Sequence, residues 1–259
     1  MQAHRVLHQF PMSPYCEKTR WTLDIKGLDY TTRNLLPGRH HKINRGLAAE
    51  SSVPLLMDRS MTIQDSSAIA MYLEHTYAGP RLLPDDDGLR SLVLALENYF
   101  DISVGPAVRH WCYGQLLRRR GMATRFFFAA YDRRTRWLAR LARPLFERRL
   151  AAAFSPDEAS MDSAERTTLD GIERLENVTE HDPERYLVGE SLTLADITAA
   201  ALLAPMVGPT NSPWGDSDRL TPGILEMRAR LRARPGGQWV LRRYERDRDA
   251  RPVIPVAVG

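Results

Sequence analysis

FPMSPYCEK, residues 10–18, is the stretch around which this sequence is organised. It follows an apolar segment, Val6 to Phe10, and opens a run of helical character that ends at Gly27. The pattern predicts a strand, a tight connection and a helix, with Ser13 and Cys16 one turn apart at the helix start. Because a helix N-terminus favours a bound anion and lowers the pKa of a thiol, the stretch predicts a thiolate site. The thiolate is either that of Cys16 or that of a bound small thiol.

Length and composition limit the classes of protein. The 259 residues are 43% hydrophobic and 26% charged, which is typical of a globular protein with one large domain or two ordinary ones. The apolar run Ile197 to Val207 is too short to span a membrane and contains Pro205, and the N-terminus lacks the pattern of a signal peptide. Two cysteines, Cys16 and Cys112, predict neither a disulfide framework nor a metal site. These features predict a cytoplasmic protein.

Arginine dominates the charge, and the formal net charge is +4. Basic residues are dense between Arg118 and Arg149, where acidic residues are almost absent. Such a cluster is one mark of a nucleic-acid-binding protein. Apolar residues recur through the cluster at spacings of three, four and seven, which instead favours an amphipathic helix with a basic face toward solvent. The residues of that apolar stripe are Phe127, Tyr131, Leu138, Leu141 and Leu145.

The first 77 residues alternate between strand and helix patterns. Helices are predicted from Cys16 to Lys26, with Gly27 as the C-terminal cap, and from Asp65 onward. Strands are predicted at 4–10, 29–36, 53–58 and 61–64, the last two forming a hairpin. The order β-α-β-α-β-β-α defines a small α/β domain over residues 1–77.

A different pattern begins after residues 78–88, which are rich in proline, glycine and aspartate and predict a linker. Strand patterns disappear there. Helical periodicity recurs over the segments 89–118, 123–150, 163–180, 193–203 and 222–234. Residues 89–245 are therefore predicted to form an all-helical domain of five or six helices, and residues 246–259 a loosely held tail.

Four motifs in order resemble the glutathione S-transferase superfamily, and the resemblance covers nearly the whole chain. They are Ser13-Pro14-Tyr15-Cys16, similar to a glutaredoxin-type active-site turn with serine as the leading residue, Val53-Pro54, Gln64-Asp65-Ser66-Ser67-Ala68-Ile69 with Tyr72-Leu73, and Gly189 with Leu192-Thr193-Leu194-Ala195-Asp196. The resemblance implies a thioredoxin-like N-terminal domain of the α/β class followed by the all-α C-terminal domain of that superfamily. The last motif also resembles a capping box with a structural role.

The resemblance implies that glutathione binds as co-substrate or cofactor. A cis peptide bond between Val53 and Pro54 would turn the Val53 backbone toward the cysteinyl part of glutathione. His40 and Lys42 match the glycine-carboxylate site of the superfamily loosely, and a solvated basic loop fits these residues equally.

The other end of glutathione is implied to lie at the helix that begins near residue 65. Ser66 would bind the γ-glutamyl carboxylate at the helix start, and Asp65 the ammonium group. Gln64 is a neighbouring polar candidate. Plain helix capping explains Asp65 and Ser66 as well, because these residue types are favoured there in any protein.

The choice between Ser13 and Cys16 decides the chemistry. A glutaredoxin forms a mixed disulfide through its leading cysteine, which serine cannot do. A serine hydroxyl can instead donate a hydrogen bond to the sulfur of bound glutathione and stabilise its thiolate. The resemblance to serine-type transferases, which include the theta and zeta classes, favours Ser13 as the activating group and leaves Cys16 as a core residue or a competing candidate. Tyr15 is a further candidate donor, although an aromatic residue there often shapes the cleft.

The commoner reaction of the superfamily is addition of the glutathione thiolate to a small hydrophobic electrophile. The alternatives are glutathione-dependent cis–trans isomerisation, as in maleylacetoacetate isomerases, and ligand binding without turnover. This sequence lacks the Ser-Ser-Cys start and the following arginine pair of those isomerases, which Lys18 and Arg20 match only approximately. The resemblance further implies a homodimer, with neither nucleic acid nor a membrane as partner.

The electrophile would bind beside the thiol, in a pocket formed by Met12, the loop 35–39 and the first helices of the second domain. The candidate residues on those helices are Tyr99, Ser103, Arg109, Trp111 and Tyr113. Because most such residues on an aromatic-rich helix belong to the core, each of them is also a candidate core residue.

Overall fold

The computed structural model describes residues 5–154, 156–215 and 220–248, and the backbone of residues 254–256. Its N-terminal part alternates strands and helices, as the sequence predicts. The elements are β1 (Arg5–Gln9), α1 (Pro14–Ile25), β2 (Thr31–Asn34), α2 (His40–Asn44), β3 (Leu55–Asp58), β4 (Met61–Gln64) and α3 (Ser66–Thr76). A further strand, β5 (Ile254–Val256), completes the sheet from the other end of the chain.

The strand order in the sheet is β4-β3-β1-β2-β5. Strand β1 runs parallel to β2 and antiparallel to β3, so that Leu7 lies opposite both Thr32 and Leu56. Strands β3 and β4 form the predicted hairpin. A parallel β-α-β unit followed by an antiparallel hairpin and a helix is the thioredoxin-like arrangement, so the predicted fold class of the N-terminal part is confirmed.

The C-terminal part is helical, which confirms the second half of the predicted fold class. The helices are α4 (Asp87–Tyr99), α5 (Gly105–Leu117), α6 (Met122–Phe127), α7 (Arg133–Leu141), α8 (Arg143–Phe154), α9 (Glu158–Val178), α10 (Leu194–Val207), α11 (Pro222–Arg232) and α12 (Pro235–Asp247). A π-helical turn at Phe100–Val104 joins α4 directly to α5.

Two of the predicted helices are divided in the structure. The segment 89–118 contains the π-helical turn, and the segment 123–150 contains α6, α7 and the start of α8. Asp132 starts α7 as an N-cap, because its carboxylate accepts hydrogen bonds from the N–H and the hydroxyl of Thr135. The sequence pattern concealed this break, since a cap changes the backbone at one residue without interrupting the spacing of apolar residues.

The apolar stripe predicted within the arginine-rich segment is only partly buried. Phe127 and Tyr131 are buried, whereas Leu138, Leu141 and Leu145 are 50%, 64% and 52% exposed. The prediction that one helix buries the whole stripe is therefore wrong. The reason is that α7 is a separate short helix that contributes only Ala139 to the core, and α8 contributes no fully buried residue. The arginines of α7 are exposed, as predicted.

Helix α10 forms the centre of the helical core, because all of its residues are buried. At its start, Asp196 accepts hydrogen bonds from the N–H and hydroxyl of Thr193 over 2.8 and 2.6 Å, and from the Leu187 N–H over 2.8 Å. These contacts confirm the capping box that the sequence predicts. Although α10 is strongly apolar, none of the helices in the described ranges is long and apolar enough to cross a membrane.

The C-terminal segment departs from the predicted loosely held tail. Helix α12 extends through Arg246 and Asp247, and it begins at Pro235, just beyond the predicted helical segment 222–234; proline is tolerated in the first turn of a helix. The backbone of Ile254–Val256 pairs in parallel with β2. The remainder of that predicted tail, residues 249–253 and 257–259, lies outside the described residues.

Helix α1 lies between the sheet and the helical core, where it packs against α3 and α10. Its residues from Cys16 to Asp24 are all buried, although several of them are charged. Each of these charges has a partner of opposite sign. The ion pairs are Glu17 with Arg20 and Arg248, Lys18 with Glu97 and Asp101, and Asp24 with Arg248.

Arg248 connects the end of α12 to α1. Its Nε lies 2.8 Å from Glu17 Oε1 and its Nη1 lies 2.7 Å from Asp24 Oδ2, and all three side chains are almost inaccessible to solvent. Burial opposes the ionisation of Glu17, but the guanidinium groups of Arg20 and Arg248 outweigh it and lower the pKa of Glu17 to about 2. The C-terminal helix therefore helps to hold α1 through buried charge.

Replacing Arg248 by methionine should lower the free energy of unfolding by about 3–5 kcal/mol, because Asp24 is left buried without a counterion. The part of the folding stability that comes from the lowered pKa of Glu17 is present at neutral pH. It is lost as the pH falls from about 4.5, the ordinary pKa of a glutamate, toward 2. The difference between wild type and Arg248→Met should therefore shrink over that interval. Urea denaturation at several pH values measures both effects.

Arg242→Met is the matched control, since Arg242 lies on α12, which Arg248 directly follows, and pairs with Glu184 and Glu245 in an exposed setting. Because solvent screens exposed pairs, Arg242→Met should destabilise the protein much less than Arg248→Met. Equal losses of stability for the two variants would contradict the role assigned to Arg248.

Candidate active site

Ser13 is the N-cap of α1 and faces a large cleft. Its Oγ accepts a hydrogen bond from the backbone N–H of Cys16 over 3.4 Å. A hydroxyl has one hydrogen and two acceptor lone pairs, so this contact leaves the Ser13 O–H able to donate to a group in the cleft. The positive end of the helix dipole lies at the same place. The local chemistry therefore suits an anion beside Ser13.

Cys16, the competing candidate, is completely buried and does not line the cleft. Burial raises the pKa of the Cys16 thiol, and the charge of Arg20 offsets this only in part. The thiol is therefore protonated at neutral pH, whereas the thiolate is the reactive form of cysteine. These properties are those of a small core residue.

Tyr15 lines the cleft with its ring, but its hydroxyl points elsewhere. The Tyr15 O–H donates a hydrogen bond to the backbone carbonyl of Asp101, in the π-helical turn, over 3.0 Å. Burial raises the pKa of this phenol well above its usual range. Gly105 permits the close approach, since a Cβ there would lie 2.6 Å from the Tyr15 hydroxyl oxygen. Because its single hydrogen is engaged, Tyr15 is not available to donate to a bound thiol.

The cleft has a volume of about 750 Å³, which is within the range of small-molecule sites. It lies between the N-terminal part of the chain and the helices α5, α6 and α8. Its lining residues are Phe10, Ser13, Tyr15, Pro37, Gly38, His40, His41, Ser52, Val53, Arg109, Tyr113, Phe127, Phe128, Ala142, Leu145, Phe146, Arg149, Leu150, Ala153 and Phe154.

The peptide bond between Val53 and Pro54 is cis, as predicted, and Val53 lines the cleft. The loop before it is held by side-chain amides. Gln64 Nε2 and Asn44 Nδ2 both donate to the Ser52 carbonyl, over 3.1 and 2.8 Å. Gln64, predicted as a polar ligand, is therefore engaged in positioning the loop that presents Val53. Asn44 performs the same task and was not predicted.

Asp65 and Ser66 lie at the start of α3, outside the lining of the cleft. Asp65 acts as an N-cap, because its Oδ1 accepts hydrogen bonds from the N–H groups of Ser67 and Ala68 over 2.9 and 3.0 Å. Its backbone has a φ of +79°, a strained value that is often found at functional sites. Ser66 is buried, and its hydroxyl has no hydrogen-bond partner among the described residues. Such a buried hydroxyl is suited to a ligand oxygen.

His40 and His41 line the cleft, whereas Lys42 does not. The Nδ1 of His40 accepts a hydrogen bond from the Gly38 N–H over 3.0 Å, and its ring contacts Phe10 edge-on with centroids 4.8 Å apart. Burial, together with the nearby His41, lowers the pKa of His40 to about 4. His40 is therefore neutral at pH 7 and can offer a ligand an Nε2–H donor but no charge.

Arg109 and Tyr113, four residues apart on one face of α5, both line the cleft. Met12 instead lines a small enclosed cavity that adjoins the cleft at these two residues. The predicted loop 35–39 contributes Pro37 and Gly38. Three of the predicted pocket elements are thus brought to the cleft or its margin.

Tyr99, Ser103 and Trp111 do not line the cleft. Trp111 lies two residues from Arg109 and so on another face of α5, where its Nε1–H donates to Glu165 over 3.2 Å. Tyr99 stacks under the guanidinium of Arg174, 4.2 Å from the ring centroid. These side chains belong to the packing of the helical part, as the alternative interpretation of an aromatic-rich helix allows.

The aromatic wall of the cleft was not predicted. The Tyr113 ring packs edge-on against Phe127 and Phe154, each with centroids 4.8 Å apart, and Phe146 packs on Phe127 over 5.6 Å. The sequence signal was present in the recurrence of phenylalanine through α6 and α8. It was assigned to the core of one long helix, whereas the separate helix α8 brings these rings back to the cleft.

The family of the chain follows from its two halves. The sequence profile of the glutathione S-transferase N-terminal domain matches residues 7–81, and that of the glutathione S-transferase C-terminal domain matches residues 126–219. The two matches fall on the thioredoxin-like part and on the helical part, in that order. The chain therefore belongs to the glutathione S-transferase superfamily.

Relatives extend over almost the full length. A probable maleylacetoacetate isomerase of Vibrio cholerae is 26% identical over 236 residues, which cover 89% of this chain and 92% of the relative. FtsZ-localized protein A of Caulobacter vibrioides is 23% identical over 239 residues, 91% of each chain. The theta class glutathione S-transferase of Xanthomonas axonopodis pv. citri, solved with glutathione bound, has a TM-score of 0.58 at 19% identity, over 93% of this chain and 98% of that one. The structural likeness shows the fold, and function is argued from the site.

The contact of Tyr15 with the π-helical turn can be tested by a double-mutant cycle. Gly105→Ala should lower the free energy of unfolding by about 1–3 kcal/mol, because the added methyl group overlaps the Tyr15 hydroxyl. Tyr15→Phe removes that oxygen, so Gly105→Ala should be less destabilising in the Tyr15→Phe background. Chemical denaturation of the four proteins measures the coupling. Strict additivity would show that the hydroxyl is not packed against residue 105.

Proposed function

We propose that this protein is a glutathione transferase in which Ser13 activates the thiol of bound glutathione for attack on a small electrophile. The observation that carries this proposal is the contrast at the start of α1. The Ser13 hydroxyl faces the cleft with its hydrogen available, while the Cys16 thiol is buried with a raised pKa. The reactive thiolate is therefore that of an external thiol, and membership of the superfamily supports glutathione as that thiol.

The activation is electrostatic. A free thiol has a pKa of about 8.5, so most of it is protonated at neutral pH. A hydrogen bond from the Ser13 O–H and the positive end of α1 both stabilise the thiolate relative to the thiol, and the proton leaves to solvent through the open cleft. The thiolate sulfur then forms a bond to the electrophilic carbon, and the leaving group departs with its electron pair. Holding both reactants in one cleft supplies a further part of the rate.

Three groups are suited to hold the tripeptide. The Val53 backbone, next to the cis-proline, can pair with the cysteinyl part of glutathione as a strand would. The start of α3, with the unpartnered hydroxyl of Ser66, suits the γ-glutamyl carboxylate, although Ser66 is buried and does not itself line the cleft. The Nε2–H of His40 suits the glycine carboxylate as a neutral donor, while Lys42 lies outside the cleft lining.

A second candidate function is glutathione-dependent cis–trans isomerisation, because one relative is a probable maleylacetoacetate isomerase. The same thiolate would add to a conjugated double bond and later leave. The residues that approximate the isomerases' arginine pair are engaged in ion pairs: Lys18 Nζ lies 2.7 Å from Asp101, and Arg20 Nη2 lies 2.6 Å from Glu17. This observation supports transfer over isomerisation. Glutathione binding without turnover is the third hypothesis, and homodimer formation stays a prediction.

Ser13→Ala should raise the pKa of the bound glutathione thiol by about 1–2 units, the equivalent of one hydrogen bond to a charged group. At neutral pH, kcat/KM should fall by roughly 10–100-fold. Raising the pH of the assay should restore part of the activity, because more of the bound thiol is then ionised. Thiolate absorbance during a pH titration of the complex measures the pKa, and a panel of electrophiles measures the turnover.

Cys16→Ala is the matched control, since it removes the neighbouring thiol and leaves Ser13 in place. It should lower stability through the cavity it creates, while the pKa of the bound thiol stays unchanged. The proposal is wrong if Cys16→Ala abolishes the thiolate signal and Ser13→Ala leaves it intact. Tight binding of glutathione without turnover of any electrophile would favour the binding-only hypothesis.

A further inference from the structure

Arg109 gives the cleft a positive charge that no carboxylate among the described residues neutralises. Its guanidinium carbon lies 5.6 Å from the centroid of the Tyr15 ring and 5.6 Å from that of Phe154. Its Nε is buried and lacks a hydrogen-bond acceptor in the part of the chain that the structure describes. Two aromatic rings thus lie beside the cation without accepting a hydrogen bond from its Nε–H.

Other arginines with restricted access to solvent have acceptors for their N–H groups: the buried Arg228 donates to the Pro205 carbonyl, and others have acidic partners. Arg20 pairs with Glu17, and Arg234 Nη2 lies 2.5 Å from Glu176 Oε2. An enclosed cation normally has such a partner, because the loss of hydration is otherwise uncompensated. Within the described ranges, no carboxylate forms an ion pair with Arg109. A ligand anion would complete the coordination of its guanidinium group.

The rest of the cleft has the matching character. Among the described residues, its lining contains no aspartate or glutamate, and the arginines there are Arg109 and Arg149. The wall beside Arg109 is aromatic, with the rings of Tyr113, Phe127 and Phe154 in contact. Such rings favour a planar aromatic ligand by stacking and edge contacts.

We propose that the electrophile is an aromatic compound that carries an anionic group, and that Arg109 determines this specificity by pairing with the group. This proposal rests on the proposed function, because it takes Ser13 and its bound thiol as the reacting side of the cleft. The carboxylates of glutathione itself are assigned to Ser66 and His40, on the N-terminal part of the chain. Arg109 belongs to α5 and is left for the second substrate.

A matched pair of substrates isolates the charge. In para-(bromomethyl)benzoate and its methyl ester, the glutathione sulfur forms a bond to the benzylic carbon, the carbon–bromine bond breaks, bromide leaves with the electron pair, and the thiol proton is released to solvent. Only the benzoate carries an anion. For each variant we take the ratio of kcat/KM for the acid to kcat/KM for the ester. Because the intrinsic reactivity of each compound is the same for every variant, it cancels when these ratios are compared.

Arg109→Gln should lower this ratio by about 10–100-fold, the effect of losing a hydrogen-bonded ion pair. The fall should come mainly from a lower kcat/KM for the acid. Arg109→Lys keeps the charge but loses the planar guanidinium group, so its acid-over-ester ratio should lie between those of wild type and Arg109→Gln. The control is Arg118→Gln, which removes an exposed charge beyond the end of the same helix and should leave the ratio unchanged. An unchanged ratio in Arg109→Gln, or an equal fall for both substrates, would overturn the proposal; the equal fall would assign Arg109 to the thiolate instead.

Binding without glutathione separates this proposal from the proposed function. Calorimetry with para-phenylbenzoate and para-phenylbenzamide, neither of which reacts, reports the anion preference even if no conjugation occurs. Wild type should prefer the carboxylate by about tenfold or more, and Arg109→Gln should lose that preference. Equal affinity of wild type for the two ligands would overturn the anion site whatever the fate of Ser13. A melting curve for each variant shows that it is folded.

Discussion

Buried charge on α1 is the constraint on which the rest of this structure depends. The helix lies between the sheet and the helical core, yet it carries Glu17, Lys18, Arg20 and Asp24 in buried positions. A charge in such a place destabilises the fold unless it has a partner. The partners come from distant parts of the chain: Glu97 and Asp101 from α4 and the π-helical turn, and Arg248 from the end of α12. Pairing these charges fixes how the two parts of the protein meet.

The same constraint places the reactive end of α1. Asp101 both neutralises a buried charge and engages Tyr15, because its carboxylate pairs with Lys18 while its backbone carbonyl accepts a hydrogen bond from the Tyr15 hydroxyl. With Tyr15 engaged and Cys16 buried, the hydroxyl left facing the cleft at the helix start is that of Ser13. The chemistry of the site therefore depends on side chains being occupied elsewhere as much as on Ser13 itself.

Features that depend on nearby residues could be predicted from the sequence. The strand-helix order and the capping box at Asp196 each arise within a few residues, whereas the cis bond before Pro54 was expected from the resemblance to the superfamily. The helix start at Ser13 belongs to this group, since a serine next to a proline is a residue pair typical of a helix N-terminus. Arg109 and Tyr113 were named as candidates together with Trp111 because all three lie on the first helices of the second part, and they could not be separated without knowing which face of α5 meets the cleft.

Features that depend on tertiary structure could not be predicted. The break at Asp132 leaves the apolar spacing intact, so the spacing predicts one helix in place of α7 and α8 and predicts that Leu141 is buried, whereas it is exposed. The aromatic wall depends on where α8 returns to the cleft. Arg248 lies in the segment that the sequence predicts as a loosely held tail. Its role depends on two carboxylates more than two hundred residues away in the chain. In each case the deciding contact is remote in sequence.

A crystal structure of the protein with reduced glutathione tests the central claim most directly. The account predicts the cysteinyl backbone of glutathione beside Val53 and its sulfur within hydrogen-bonding distance of Ser13 Oγ, with Cys16 unmodified behind it. A disulfide between glutathione and Cys16, or glutathione bound away from Ser13, would contradict it.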